Sequence, residues 1–337
     1  MTSTSTAPHH VITLGTAGGP RFWRGASRTG IATAVVVDDG FYLVDCGHGV
    51  GRQIERAGLA LGDLKGVFIT HLHSDHTVDL NTLGLFGLYE LQHRLDDPVP
   101  IYGPGDRGVL PPVSALAQTP PQPVAPHSPT PGTAEMFLKL MEAHATDLND
   151  RVIDSLRPSP LDLFDARDIE IPSHAQFHAN DNPVPTIEPF EVFRDDQVVV
   201  SATLVQHPPI APAFAFRFDT DLGSVCISGD TTYTPNMVRL SQGAGLVLHE
   251  ALDFEFIEKM YEGKADETSR ASLEHHHKSH TSLRDAVRVG EEAGARRLAL
   301  HHLVPGVDQT AAWDAGREHF SGEFLVPDDL DVIPFTH

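Results

Sequence analysis

The run His71-Leu72-His73-Ser74-Asp75-His76 places imidazoles and a carboxylate within six residues. These are the ligand types preferred by zinc and similar transition metals. The run follows the apolar stretch Val67-Phe68-Ile69-Thr70, which reads as a strand. On an extended chain His71 and His73, two residues apart, project to the same side. Asp75 and His76 fall in the turn that follows and can face the same space. One segment can therefore serve two adjacent metal ions. Three later residues have a similar setting: His207 after Val198–Gln206, Asp230 after Val225–Gly229, and His302 after Leu298–His301. Polar residues at the carboxyl ends of strands collect into sites in packed sheets. Together these residues form a donor set for two metals that share a carboxylate. It contains no thiolate, so Zn²⁺ is the first expectation, with Mn²⁺ and Fe compatible.

The elements that must position these groups alternate along the chain. Strands are expected at Val11–Gly15, Thr33–Val37, Phe41–Val44, Gly66–Thr70 and Pro98–Tyr102, with a hairpin turn at Asp38-Asp39-Gly40. Helical spacing covers Val50–Ala60 and His76–Arg94. Pro111–Pro131 is too rich in proline for the interior of any regular element and reads as an extended surface insertion. Glu135–Leu156 is helical in character, and Pro158–Pro189 is irregular. Order returns with strands at Gln197–Gln206, Ala213–Phe218, Ser224–Ser228, Gly245–Leu248 and Arg297–Leu300, and a helix at Ser282–Ala295. The two halves share an outline: paired strands first, then strand–helix units with polar residues at the strand ends.

Composition narrows the setting. A chain of 337 residues with 40% hydrophobic side chains can bury a sizeable core. Lys and Arg number 24 against 46 Asp and Glu, a net charge of −22. That balance repels nucleic-acid phosphates unless a local basic patch compensates. Cys46 and Cys226 are the only cysteines, which implies no disulfide framework and suits a reducing compartment. Met1–His10 has neither a basic nor an apolar leader region, and no apolar run approaches transmembrane length, so a cytoplasmic location away from membranes is expected.

The sequence resembles the metallo-β-lactamase fold superfamily, and within it the ribonuclease Z and arylsulfatase-like branch. The pieces that carry the resemblance are Leu14–Gly19, Leu43–Gly47, Phe68–His76, Ile101–Pro104, Ser228–Asp230, His249–Ala251 and His280–Ser282. The resemblance implies an α/β, four-layer αββα sandwich formed by one domain over 1–337, with the Pro-rich and irregular region at about 105–190 as an insertion. It implies that His71, His73 and His207 bind one metal, that Asp75, His76 and His302 bind the second, and that Asp230 bridges. His301 competes with His302, and the family's strand position favours His302. Asp45 would orient imidazoles through their outer ring nitrogens. His280, before Thr281-Ser282, would protonate a leaving group. A homodimer is also implied.

Two divalent metals at such a site would lower the pKa of a bridging water and supply hydroxide for attack on an ester. Asp75 would orient this nucleophile and accept its proton. His275-His276-His277 reads as a solvated loop, and Arg21, Arg24 and Arg28 as a local positive strip able to hold an anion. The chain departs from ribonuclease Z in having Asp45-Cys46-Gly47-His48-Gly49, and its Pro111–Pro131 insertion contains no Lys or Arg. A small-molecule ester, whether phosphodiester, sulfate ester or lactone, is thus expected as substrate, with nucleic acid disfavoured. The alternatives are an iron-dependent oxidoreductase of the same fold and a ribonuclease Z-like tRNA endonuclease. No substrate-binding residue is assigned.

Overall fold

β-Branched and aromatic runs build two seven-stranded sheets in the computed structural model, which describes residues 9–307 and 311–336. In chain order the strands are β1 (His9–Gly15), β2 (Ala32–Val37), β3 (Gly40–Val44), β4 (Leu64–Phe68), β5 (Val99–Gly103), β6 (Phe164–Asp168), β7 (Phe190–Arg194), β8 (Val199–Leu204), β9 (Phe214–Asp219), β10 (Ser224–Ile227), β11 (Leu246–Leu252), β12 (Arg297–Val304), β13 (Glu323–Leu325) and β14 (Val332–Pro334). The first sheet runs β14-β1-β2-β3-β4-β5-β6 and the second β13-β12-β11-β10-β9-β8-β7. In each, an antiparallel meander gives way to parallel strands, from β3/β4 onward in one and from β10/β11 onward in the other. The similar outline of the two halves is a real repeat of topology.

Helices cover both outer faces. They are α1 (Val50–Arg56), α2 (Ser74–Thr77), α3 (Leu80–Glu90), α4 (Thr133–Ala143), α5 (Ala145–Ile153), α6 (Pro160–Leu163), α7 (Pro235–Leu240), α8 (Phe254–Tyr261), α9 (Glu267–Ser279), α10 (Leu283–Ala293) and α11 (Gly316–His319). One apolar cluster lies between the sheets, joining Val35, Tyr42 and Phe68 to Val200, Phe214 and Phe218. A second packs the first sheet under α1, α3 and α4, and a third packs the other sheet under α7 and α10. The result is the expected αββα layering. Phe68 sits at the centre, fully buried, with the rings of Tyr102, Phe193, Phe216 and Phe218 5.2 to 5.8 Å away. Truncating so enclosed a ring to Ala costs about 3–5 kcal/mol.

Local chemistry sets several boundaries. Asp38 turns the β2–β3 hairpin with φ 52°. Ser282 caps α10 by accepting from the Asp285 N–H, and Gly294 ends that helix in the left-handed region. Helix α1 stops at Arg56 rather than at Ala60, just before Gly58 adopts φ 75°. Pro111–Pro131 has no regular element, as expected. The stretch 158–189 is not wholly irregular: β6 lies within it and extends the first sheet. Its sequence, Phe-Asp-Ala-Arg-Asp, belongs to an edge strand with a largely solvated face, which apolar periodicity does not reveal. His275–His277 is not a loop but the last part of α9, a helix begun by the Asp266 cap. Among the described residues no helix is long and apolar enough to cross a membrane. Most of the leader-free stretch expected over Met1–His10 lies outside the described residues.

Candidate active site

The carboxyl ends of β4, β8 and β10 and a bulge in β12 deliver their polar residues to one place. Past β4, His71 Nε2 and His73 Nδ1 are 3.0 Å apart, and His207 Nε2, past β8, is 3.1 Å from the same His73 nitrogen. Asp230, past β10, aims Oδ2 at this trio, 3.8 Å from both His71 Nε2 and His207 Nε2. Its other oxygen, Oδ1, faces a second group, 3.4 Å from His76 Nε2 and 3.3 Å from His302 Nε2. Asp75 Oδ2 completes that group, 3.7 Å from His76 Nε2 and 3.3 Å from His302 Nε2. All of the expected ligand residues are therefore brought together, in two donor sets with Asp230 between them.

Contacts fix which nitrogen faces inward for three of the imidazoles. The His76 Nδ1–H donates to Asp45 Oδ2 at 2.7 Å, and His207 Nδ1–H donates to the Ser279 carbonyl at 2.7 Å. Thr70 Oγ1 lies 3.1 Å from His71 Nδ1. The inner nitrogens are then the ones left for a metal ion. His302 owes its place to a β-bulge: Glu250 pairs with His301 and Ala251 with Leu303, so His302 is the extra residue, with φ 47°. His301 is buried, with neither ring nitrogen hydrogen-bonded among the described residues, and belongs to neither donor set. The close approach of the first loop requires glycine: a Cβ on Gly18 would lie 2.6 Å from His302 Nδ1. The Gly19 N–H donates to Asp75 Oδ2 at 3.1 Å.

These residues fit a pair of divalent cations. Imidazole nitrogens 3.0–3.1 Å apart, with no acceptor between them, match the roughly 3.3 Å edge of a tetrahedral site with bonds near 2.0 Å. Among the described residues the buried His76 Nε2 and Asp230 Oδ1 have no hydrogen-bond partner, as two atoms reserved for a cation would. Burial pushes His71 and His207 well below the usual imidazole range, so both are neutral donors. Burial opposes the charge on Asp230, but His302 and His76 more than offset it and hold the carboxyl well below its ordinary range.

Beside the second donor set, Glu250 is fully buried and accepts from the His280 Nδ1–H at 2.9 Å and from the Thr231 N–H at 2.6 Å. His280 lines a cavity of about 710 Å³ together with His73, Asp75, Asp230 and His302. Burial works against protonation of His280, but Glu250 and Asp230 raise it above the ordinary imidazole value. Reasoning from sequence assigned no role to Glu250; its place just after His249 in the last half of β11 was the available signal. The cysteines contribute nothing here. Both are buried and unpaired, and Cys46 and Cys226 pack into the two outer cores.

Comparison with known proteins bears on the family. Ribonuclease Z of Mycobacterium sp. (strain KMS) is 27% identical over 314 residues, covering 91% of this chain and 90% of that protein. The crystal structure of human tRNase Z, short form, superimposes with a TM-score of 0.61 at 21% identity, over 97% of this chain and all of that one. The metallo-β-lactamase fold protein YhfI from Bacillus subtilis gives 0.58 at 18% identity, over 97% and 99%. The chain has the metallo-β-lactamase fold. Its sequence likeness runs to ribonuclease Z. The family described as "Anti-Pycsar protein Apyc1" matches residues 32–100, from β2 into β5 and through the histidine run.

This likeness corrects the expected partner. Similarity to ribonuclease Z over nine-tenths of the chain conflicts with the expectation of a small-molecule substrate and of nucleic acid as a disfavoured one. The physical reason is that net charge is a sum over the whole surface. Charges more than about 8–10 Å apart are screened from one another, so −22 says little about the field at one site. Metal ions add positive charge locally that composition does not count.

Proposed function

We propose that this protein hydrolyses phosphodiester bonds with the help of two divalent metal ions, and that RNA is the substrate class. The observation that carries the reading is the double convergence on Asp230, whose Oδ2 faces His71 and His207 while Oδ1 faces His76 and His302. In this reading His71, His73 and His207 would hold one ion, Asp75, His76 and His302 would hold the other, and Asp230 would serve both. Zn²⁺ is the first choice for this N/O donor set. When bound, the ions supply Lewis acidity and a water activated at neutral pH. Asp75 orients the attacking water through the carboxylate oxygen not directed at His302. His280, held at Nδ1 by Glu250, keeps Nε2 for the cavity and carries the proton that the leaving oxygen takes up. RNA is supported by the ribonuclease Z relatives, which align along almost the whole chain. A cytoplasmic location belongs to the same proposal, in keeping with two buried, unpaired cysteines.

The test combines metal analysis with two substrates, bis(p-nitrophenyl) phosphate and an extended tRNA transcript. Two zinc ions per chain and cleavage of both substrates are expected, with Asp230→Ala losing metal and turnover together. Full metal content in Asp230→Ala would refute the shared ligand. A two-metal protein that cleaves neither substrate would refute the phosphodiesterase reading.

A further inference from the structure

The loop after β1 carries Arg21, Arg24 and Arg28, and the structure gives them different surroundings. Arg28 is buried, donating from Nη1 to Thr16 Oγ1 at 2.5 Å and to the Pro327 carbonyl at 2.8 Å, and from Nη2 to Asp328 Oδ1 at 2.6 Å. It clamps the loop to the chain's last segment. Arg24 is exposed and lies outside the wall of the cavity at the site. Arg21 is on that wall, with His73, Asp75, Asp230, His280 and His302, and among the described residues it is the only Lys or Arg there.

The guanidinium of Arg21 is held by weak partners. Nη1 is 2.7 Å from Met260 Sδ, and Cζ stands 5.3 Å from the centroid of the Trp23 ring. Neither partner is a strong acceptor, so most of its N–H donors remain open. No carboxylate among the described residues pairs with it, although acidic residues outnumber basic ones almost two to one in this chain. The acidic groups on the same wall are engaged elsewhere: Asp75 by Gly19 N–H and His302, Asp230 by the imidazoles, and Glu267 by the Gln118 N–H at 3.3 Å.

The loop that carries Arg21 is fixed at both ends. Gly19, two residues before it, donates to Asp75 Oδ2, and Trp23, two residues after it, donates from Nε1 to the Gly18 carbonyl at 3.0 Å and packs on Phe256 of α8. The opposite wall, from α9, adds no Lys or Arg among the described residues.

We infer that Arg21 is a substrate-binding residue that takes the non-bridging oxygens of a substrate phosphate in the cavity beside the metal ligands. The planar fork of Arg suits this task, because it grips two phosphate oxygens at once. The inference rests on the phosphodiesterase reading for the identity of the anion. It predicts an effect on substrate binding rather than on the bond-breaking step, since no described contact links Arg21 to His280 or Glu250.

The experiment compares wild type, Arg21→Ala, Arg21→Lys and Arg24→Ala, each loaded with zinc. KM and kcat are measured with bis(p-nitrophenyl) phosphate, and the binding of inorganic phosphate is measured by calorimetry. For Arg21→Ala, KM and the phosphate dissociation constant should both rise roughly ten-fold or more, the loss of a charge-assisted contact, while kcat stays within about two-fold. Arg21→Lys should recover part of the loss, because it keeps the charge without the fork. Arg24→Ala should match wild type, and metal content should be the same throughout. Unchanged KM and phosphate binding in Arg21→Ala would overturn the inference, as would an equal loss in Arg24→Ala. Phosphate binding weakened by Arg21→Ala in a wild type that cleaves no phosphodiester would refute the proposed reaction and uphold the role of Arg21.

Discussion

Asp45 and His76 lie 31 residues apart in sequence and meet across a 2.7 Å hydrogen bond. Asp45 follows β3 with φ 62°, a conformation that costs a residue other than glycine on the order of 1 kcal/mol. From there its carboxylate also accepts from the Thr70 N–H at 2.8 Å and from Thr70 Oγ1. One buried side chain therefore ties the end of β3 to both ends of the histidine run.

Asp45→Ala should leave the fold intact and weaken metal binding. With Asp45 gone, His76 loses the acceptor that turns its Nε2 inward. Removing such an outer partner typically costs about 10–100-fold in affinity. Competition with a chromogenic zinc chelator would measure it, and affinities equal to wild type at both sites would count against the orienting role.

Glu250→Gln and His280→Ala should separate rate from metal binding. Glu250 holds His280 at Nδ1, 2.9 Å away, and His280 Nδ1 stands 3.8 Å from Asp230 Oδ2. His280→Ala should keep both metals and lose about 10²–10⁴ in kcat, most for substrates with poor leaving groups. Glu250→Gln should share that dependence on the leaving group. Equal losses for good and poor leaving groups would exclude proton donation by His280.

The site was more legible in the sequence than its surroundings were. His71–His76 announce themselves by density, and His207 and Asp230 by following apolar runs that form β8 and β10. His302 could be separated from His301 only through the family's strand position, because strand alternation alone does not foresee a bulge. Glu250 was not legible as functional: a single acid at the end of a strand has many uses, and its partner His280 is 30 residues away. The strip of arginines divided three ways because burial is decided by distant chain; the partners of Arg28, Pro327 and Asp328, lie at the other end of the sequence. Edge strand β6 escaped because it has only one apolar face to show.

Removal of metal should lower thermal stability more than it alters secondary structure. Without a cation the donor set of His71, His73 and His207 faces nitrogen to nitrogen at 3.0–3.1 Å, and Asp230 remains buried among imidazoles. An ion present at 100 times its dissociation constant stabilises the fold by about 2.7 kcal/mol. Dialysis against a chelator should lower Tm by a few degrees, and added Zn²⁺ should restore it. Identical melting curves for the stripped and reloaded protein would argue against an ion at this site.

Cys226 should give the protein an alkaline weakness that Cys226→Ala lacks. The thiol is fully buried in β10, with Sγ 3.4 Å from the Leu240 carbonyl, and burial pushes it up from 9.0 to about 12. Because the folded value is the higher one, the native state prefers the protonated thiol. Its contribution is complete below pH 9 and is lost as pH rises toward 12, by about 1.4 kcal/mol for each unit in that window. Cys46, also fully buried, is raised well above its ordinary value by burial, with Asp45 and Asp79 adding to the effect. At pH 8 neither thiol of the native protein should react with Ellman's reagent, and both should react in guanidinium. Between pH 9 and 10.5 the urea midpoint of wild type should fall more steeply than that of Cys226→Ala. Equal slopes, or rapid native-state reaction at pH 8, would show that the thiol is not held protonated by the fold.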